Sequence, residues 1–199
     1  MAPKRVDTET KKKVIIKAAI KEFAKHGLTN AKIIDIAVTA GIGKGTVYEY
    51  FGSKEEIFYT ALENSFEELL SQLNTIKNEN CEPDEKLKNL IKSYCLSLQK
   101  NGTNEIIYHF WAEGLRIGNR KIKFLIKKTY KEGKEIISSI LEDGISKGYF
   151  KKKNSHNFAT ILTATLDGLI LQATYGDKIN FEEIYKEIQI IIEAYLNID

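Results

Sequence analysis

Apolar residues recur along this chain at the three-and-four spacing of helical faces, and short glycine- or proline-marked breaks separate the runs. The first run begins near Thr10, and its lysines lie opposite the apolar side. The apolar positions that share this face are Ile16, Ala19, Ile20 and Phe23. Gly27 stands where such a helix ends. We therefore predict a first helix from about Thr10 to Gly27, preceded by a mobile basic arm at residues 1–9.

Two short helices are predicted next. Thr29 or Asn30 is a suitable N-cap for a helix that runs through Ala40 and ends at Gly41. A third helix of about two turns follows, from Gly43 to about Tyr50. The inward-facing residues of this pair are Ile33, Ile36, Ala37, Ile42, Val47 and Phe51. Two such helices joined by a tight turn indicate a helix-turn-helix, whose last helix enters the DNA major groove.

A capping box marks the start of a long fourth helix. Ser53 and Glu56 have the spacing at which the serine hydroxyl accepts the amide of Glu56 and the carboxylate accepts the amide of Ser53. The apolar pattern extends this helix to about Asn74, where the polar loop 75–83 begins. Pro83 is well placed as the first residue of the next helix.

Every later segment is also predicted to be helical. The predicted boundaries are Pro83 to Asn101 for the fifth helix, Thr103 to about Leu115 for the sixth, 119–147 for the seventh, 156–175 for the eighth and 181–197 for the ninth. Apolar runs are long, and turn dipeptides at hairpin spacing are absent from the sequence. We expect an all-α fold of about nine helices, with a three-helix head at residues 1–53 and a helical body at 54–199.

Composition and charge narrow the functional classes. Net charge is +3, but residues 1–60 carry 11 Lys and Arg against 7 Asp and Glu, while the remainder carries 19 against 20. A basic head on a neutral body suits DNA binding, and a solvated basic terminus would look the same. Cys81 and Cys95 have no CxxC or Cys/His cluster beside them, so neither a disulfide framework nor a metal site is expected. We also expect no cofactor, no membrane segment and a cytoplasmic location.

Four sequence stretches carry a family resemblance. They are Phe-Ala-Lys-His-Gly at 23–27, Ile-Ala-Val-Thr-Ala-Gly at 36–41, Gly-Thr-Val-Tyr-Glu-Tyr-Phe at 45–51 and Ser-Lys-Glu at 53–55. In sequence and spacing they resemble the DNA-binding head of the TetR family of bacterial transcriptional regulators. The remaining two-thirds resembles that family in helix number and helix length alone.

The resemblance implies a set of DNA contacts. Gly45 would let the backbone approach the DNA, Lys44 and Thr46 would face the bases, and phenolic hydroxyls or ammonium groups would meet phosphates. The candidate DNA-binding residues are Lys32, Gly43, Lys44, Gly45, Thr46, Tyr48, Glu49, Tyr50 and Lys54. Tyr50 could instead pack under the head, and Glu49 either accepts from a cytosine amino group or faces solvent. Lys32 and Gly43 stand where the family often has a hydroxyl residue, which leaves the operator sequence open.

The eighth and ninth helices are the subunit interface of the resembled family. The eighth helix is apolar on nearly all sides, which favours burial against a second copy, although burial inside one chain is the alternative. The candidate interface residues are Leu162, Ala164, Gly168, Leu169, Ile188, Ile191 and Tyr195.

The family's effector pocket lies among helices four to eight. The candidate lining residues are Phe66, Tyr94, Tyr108, Phe110, Trp111, Phe124, Tyr130 and Asp167. Ordinary core packing is the alternative for the aromatic residues, and a structural hydrogen bond is the alternative for Asp167 and for His109.

These patterns favour a homodimeric repressor that binds double-stranded operator DNA and is released by a small, largely apolar molecule. The alternative is a DNA-binding protein of the same fold that a protein partner controls. An all-α enzyme has no support, because the sequence shows no nucleophile–base pair, paired acidic motif or phosphate loop.

Overall fold

Helices account for the regular structure of the computed structural model, which describes residues 4–98, 109–113, 115–116, 119–174 and 179–197. The helices are α1 (Lys4–Asn30), α2 (Ile33–Ala40), α3 (Lys44–Tyr50), α4 (Lys54–Lys77), α5 (Pro83–Leu98), α6 (109–113), α7 (Arg120–Ser146), α8 (Ser155–Thr174) and α9 (Phe181–Asn197). No strand occurs in these ranges. The predicted all-α class is confirmed.

The described residues fall into two compact units. The first contains α1 to α3, α4 up to Glu67, α6 and α7 up to Leu125. The second contains α4 from Glu68, α5, α7 from Ile126, α8 and α9. The division therefore falls inside α4 and α7, whereas the predicted functional boundary was the end of the helix-turn-helix at residue 53. None of the described helices is long and apolar enough to cross a membrane.

The first helix differs from its prediction at both ends. α1 is already helical at Lys4, well before the expected start near Thr10. At its other end the backbone kinks at Gly27, where φ is 65° and ψ is 175°. This conformation is essentially restricted to glycine, because a Cβ would clash with the backbone. Gly27 therefore breaks the helix as predicted, although one more helical turn follows it.

The N-cap prediction for α2 is wrong. Thr29 and Asn30 belong to the extra turn after Gly27, and α2 begins at Ile33 with Lys32 in the N-cap position. No side chain caps the free amides there. A hydroxyl or amide residue in the right neighbourhood is thus not sufficient for a cap, because the kink shifts the point at which the chain becomes helical again.

A chain of aromatic rings packs α1, α4 and α6 together within the first unit. The ring centroids of Phe23 and Phe58 are 5.0 Å apart, those of Phe58 and Phe110 are 5.0 Å apart, and those of Phe66 and Phe110 are 6.4 Å apart, all edge to face. Phe23, Phe58 and Phe110 are at most 1% exposed. Edge-to-face pairs add about 0.5–1.5 kcal/mol each beyond the apolar area they bury.

The second unit has its own apolar core. Its most deeply buried side chains include Leu90, Ile91, Leu141, Ile170 and Leu196, which come from α5, α7, α8 and α9. α7 continues through Gly133 and Gly144 to Ser146, as the sequence predicts. Long helices packed in this way give the unit a continuous interior, because each presents one apolar face inward.

We predict that Gly27→Ala lowers the free energy of unfolding by about 1–3 kcal/mol, because alanine is strained at this φ and ψ. A Cβ would also lie 3.0 Å from Nδ1 of His109 on α6. Urea unfolding followed by circular dichroism measures the loss. Gly41→Ala is the matched control, since Gly41 has a similar φ of 68° but no neighbour within 4 Å of an added Cβ.

The close approach to His109 should add to the stability loss of Gly27→Ala, separately from the backbone strain. His109→Ala in the Gly27→Ala background should restore part of the lost stability, while the same change beside Gly41→Ala should restore none. Wild-type stability of Gly27→Ala would contradict the kink.

Candidate nucleic-acid interface and helical body

The helix-turn-helix presents one face of α3 to solvent because its opposite face is buried. Val47 is fully buried, and it packs the helix into the head together with Ile36 and Ala37 of α2. The exposed residues of this segment are Gly43, Lys44, Gly45, Tyr48 and Glu49, and the half-buried ones are Thr46 and Tyr50. Phe51 is 4% exposed and packs under the head, as the sequence suggests.

The exposed face has the chemistry of a DNA reader. A Cβ added to Gly45 would meet nothing within 4 Å, so the backbone there is open to an approaching ligand. The Lys44 ammonium lies 5.9 Å from the centroid of the Tyr48 ring, so a cation and a phenolic hydroxyl are neighbours on one surface. Such groups are the usual donors to phosphates and base edges. Lys32, at the start of α2, is exposed as well.

Lys54 has a structural role that the sequence did not reveal. Its ammonium donates to the carbonyl oxygens of Thr29 and Ala31, both at 3.0 Å. These carbonyls lie at the end of α1 and in the connection to α2. Lys54 thus ties the start of α4 to the head, and the phosphate contact predicted for it would have to use its remaining N–H.

The capping box forms with one changed partner. The amide of Glu56 donates to Oγ of Ser53 at 3.1 Å, as predicted. The carboxylate of Glu56 accepts the amide of Gly52 at 2.8 Å, instead of the predicted amide of Ser53. The returning bond therefore also fixes the residue before the cap, which strengthens the junction between α3 and α4.

A buried carboxylate joins α1 to α2. Glu22 is 5% exposed, and its Oε1 accepts the hydroxyl of Thr39 at 2.7 Å. Lys25 and His26 approach the same carboxylate at 3.9 and 3.8 Å. The sequence did not reveal this contact. Its signal was a glutamate four residues after the buried Ala18, on the apolar face of α1.

Comparison with known proteins decides the family. Residues 15–60 match the model of bacterial regulatory proteins of the tetR family, and residues 62–196 match the C-terminal region of YsiA-like proteins. This chain belongs to the TetR family. The helix-turn-helix described above is therefore the DNA-binding head of a TetR-family transcriptional regulator.

Individual relatives agree with this assignment. The chain is 30% identical over 142 residues to YhgD of Bacillus subtilis, an HTH-type transcriptional regulator, covering 71% of this chain and 72% of YhgD. The structure of FadR from Bacillus subtilis in complex with stearoyl-CoA has a TM-score of 0.74 at 22% identity, covering 90% of this chain and 96% of FadR. The structure of a Saccharomonospora viridis protein in complex with choline has a TM-score of 0.81 at 23% identity, covering 93% of this chain and 96% of that protein. The two structures show the same fold.

The predicted effector residues of this TetR-family chain divide between the two units. Phe66, Phe110, Trp111 and Phe124 lie in the first unit, Tyr94, Tyr130 and Asp167 lie in the second, and Tyr108 is outside the described residues. Phe110 is enclosed by Phe58 and Phe66 and is core, which was the alternative reading for these aromatic residues. Phe124 is 68% exposed.

Tyr94, Tyr130 and Asp167 form a hydrogen-bonded cluster within the second unit. The Tyr130 hydroxyl donates to Oδ2 of Asp167 at 2.6 Å, and the Tyr94 hydroxyl donates to Oδ1 at 3.4 Å. Burial raises the pKa of Asp167, and the two phenols oppose part of that rise. Burial and the nearby carboxylate raise the pKa of Tyr94 well above its ordinary value, so both of these effects keep its proton on the phenol.

A cleft of about 180 Å³ was not anticipated from the sequence. It lies in the second unit, lined by α5, α9 and the turn after α7. On its rim the Lys88 ammonium is 3.0 Å from Glu193 and 3.6 Å from Asp84. These side chains are already paired with one another, and the single ammonium offsets only one of the two carboxylate charges.

The predicted interface residues separate into buried and exposed groups. Leu162 and Ile188 are 4% and 7% exposed in the chain's own core, so they leave almost no surface for a second copy. Their assignment to the interface stays a prediction. Ala164, Ile191 and Tyr195 are exposed, while Gly168 and Leu169 are half-buried. Other large apolar side chains exposed on α8 and α9 are Ile161, Leu171 and Ile190.

We predict that Lys54→Gln lowers the free energy of unfolding by about 1 kcal/mol, because two partly exposed, charge-assisted hydrogen bonds are lost. Lys44→Gln is the matched control, and its stability should stay within about 0.5 kcal/mol of wild type, since Lys44 is exposed on α3. Urea unfolding of both variants makes the comparison. Equal stabilities would show that the Lys54 bonds do not hold the head to α4.

Proposed function

We propose that this TetR-family protein is a homodimeric repressor, and that a small, largely apolar molecule releases it from its operator. The observation that carries the proposal is the exposed face of α3, where Lys44, Tyr48 and Glu49 surround the open backbone at Gly45. Burial of Val47 on the opposite side holds this face outward. A short helix presented in this way is suited to the major groove.

The proposed DNA contacts follow from exposure. Lys44 and Thr46 lie at the beginning of α3 and read base edges, while Tyr48, Tyr50 and Lys32 contact phosphates. Glu49 is exposed on the same helix and accepts from a cytosine amino group. Lys54 supports DNA binding mainly by holding the head in position and less by contacting a phosphate. Its ammonium is already bound to two carbonyl oxygens.

The proposed dimer uses the exposed apolar surface of α8 and α9. Ile161 and Ile191 are 62% and 65% exposed in the single chain. Small residues at Ala164 and Gly168 on α8 permit a second helix to approach closely. Apolar surface of this kind is unfavourable in water, and a two-fold axis buries it twice.

Support for the effector comes from the second unit and from proteins of the same fold. The Asp167 cluster is a half-buried polar group in the second unit, as expected at one end of a ligand site. FadR and the Saccharomonospora protein have the same fold and bind stearoyl-CoA and choline, respectively. A ligand that favours one arrangement of the dimer changes the separation of the two reading heads, and the affinity for both half-sites falls.

We predict that Lys44→Ala together with Tyr48→Ala lowers affinity for the operator at least tenfold, because each lost contact is worth about 1–3 kcal/mol. The operator is obtained by selecting fragments of the source genome on the wild-type protein, and affinity is measured by fluorescence anisotropy. Lys152→Ala with Tyr149→Ala removes the same side-chain types from the second unit and should bind as wild type does. Undiminished binding by the α3 variant would refute the proposed reading face.

We predict that Ile161→Asp with Ile191→Asp converts the dimer to a folded monomer, because it places charges in the proposed interface. Sedimentation velocity measures the mass, and circular dichroism confirms the helical fold. Both side chains are exposed in the single chain, so the fold should survive. Leu115→Asp is the control, since Leu115 is 85% exposed in the first unit. A dimer that persists in the double variant would place the interface elsewhere.

A further inference from the structure

The cleft between α5, α9 and the turn after α7 combines an apolar interior with a charged mouth. Its volume is about 180 Å³. A cavity of about 150 Å³ holds a benzene ring, so the cleft has room for one ring or a short aliphatic chain. None of its lining residues belongs to the Asp167 cluster. The apolar side chains that line it are Leu87, Ile91, Phe150, Ile192 and Leu196.

The wall that the turn after α7 contributes is held at both of its ends. The amides of Tyr149 and Phe150 donate to the carbonyl oxygen of Gly144 at 2.8 and 3.3 Å. The amide of Lys151 donates to the carbonyl oxygen of Leu196 on α9 at 2.9 Å. A Cβ on Gly144 would overlap the ring of Phe150, so the glycine lets this ring lie directly against α7. Such a preformed wall lowers the ordering cost of binding.

On the helical side of the mouth, one cation serves two carboxylates. The Lys88 ammonium lies 3.0 Å from Oε1 of Glu193 and 3.6 Å from Oδ2 of Asp84. All three side chains line the cleft. With Asp84 and Glu193 ionised, this side of the mouth has a net charge of one negative unit.

The turn adds no free positive charge. Tyr149 lines the cleft and donates a hydrogen bond to the Glu82 carboxylate, and this bond and burial together raise the pKa of Tyr149. The cation next to Tyr149 is Lys147, whose ammonium is already 2.9 Å from Oδ2 of Asp143. A positively charged ligand is therefore attracted to the mouth, and a negatively charged one is repelled.

Asp84 is the less satisfied of the two carboxylates beside Lys88. Its contact with the ammonium is the longer one, and its side chain is 39% exposed. A position in the first turn of α5 favours an acidic residue in any case, because of the helix dipole. Glu85 lies in the same turn and meets that need equally well, but of these two residues only Asp84 lines the cleft.

The cleft lies away from the surface proposed for the dimer. Gln189 and Glu193 are four residues apart and share the face of α9 that lines the cleft. Ile191 of the proposed interface is two residues from each of them, which places it roughly 200° around the helix axis. The cleft is therefore not part of the proposed dimer surface.

We propose that this cleft binds a small primary amine whose apolar part is one ring or a short aliphatic chain. The ammonium pairs with Asp84 at the mouth, and the apolar part lies against Phe150 and Ile192. The proposed site is separate from the effector control proposed above and does not depend on it.

Three probes that share one phenylethyl group test the selection directly. Phenylethylamine, phenylethanol and phenylpropanoate are titrated into the isotope-labelled full chain without DNA, and backbone amide shifts are followed by NMR. The amine should bind at least about fivefold more tightly than the alcohol, because it adds one partly exposed charge-assisted contact. The propanoate should bind most weakly. The amides of Tyr149, Phe150 and Gln189 should shift most.

Asp84→Asn separates charge from shape. The amide has nearly the same size, and Lys88 keeps its shorter contact with Glu193, so the fold should be retained, which thermal unfolding checks. The variant should bind the amine and the alcohol with similar affinity. Glu85→Gln is the matched control, because it removes the same charge from the same turn of α5 outside the cleft. It should keep the wild-type preference.

Four results would each overturn the inference. They are equal or tighter binding of phenylpropanoate by the wild type, no saturable binding of any probe, shifts centred outside the cleft, and an unchanged preference in Asp84→Asn. Loss of the preference in both variants would overturn it as well, since selection would then follow net charge alone. The first three results use the wild-type protein, so they decide the inference even if Asp84→Asn unfolds. DNA is absent throughout, so failure here leaves the proposed repressor function untouched.

Discussion

Burial of Val47 is the constraint on which the DNA-binding head depends. α3 is only seven residues long, and a helix of that length is not stable in water by itself. Val47 is fully buried in the head, and this one anchor fixes the direction in which Lys44, Tyr48 and Glu49 point. The direction of the proposed reading face is thus set by a residue that is itself fully buried.

The rest of the DNA-binding head is tied to α4 by contacts of three kinds. Phe58 packs edge to face on Phe23, Lys54 binds two carbonyl oxygens of the head, and the Glu56 carboxylate accepts the amide of Gly52. The aromatic pair buries apolar area, while the polar bonds give direction. α4 therefore begins as part of the head, and a displacement of its first turns would carry the reading face along.

The sequence predicts features that depend on local periodicity and fails on those that depend on distant backbone atoms. The all-α class, the capping-box serine and the outward face of α3 follow from residue spacing. The role of Lys54 does not, since its acceptors are carbonyl groups that the Gly27 kink exposes far away in the chain. Thr29 and Asn30 mislead for the same reason. Among the candidate effector residues, aromatic character could not separate the buried Phe110 from the exposed Phe124, because both suit an amphipathic helix.

α8 connects the effector hypothesis to the dimer hypothesis within one unit. Asp167 lies on this helix, and so do Ile161 and Ala164 of the proposed interface. Side chains on one helix move together, because its backbone hydrogen bonds make it stiff over such short distances. An effector that broke the long bond from Tyr94 on α5 to Asp167 would alter how α5 and α7 hold α8. The apolar surface offered to the second copy would then shift with it. In the proposed function, an effector bound near Asp167 would act on the dimer through α8, without a contact between the effector and the proposed reading face.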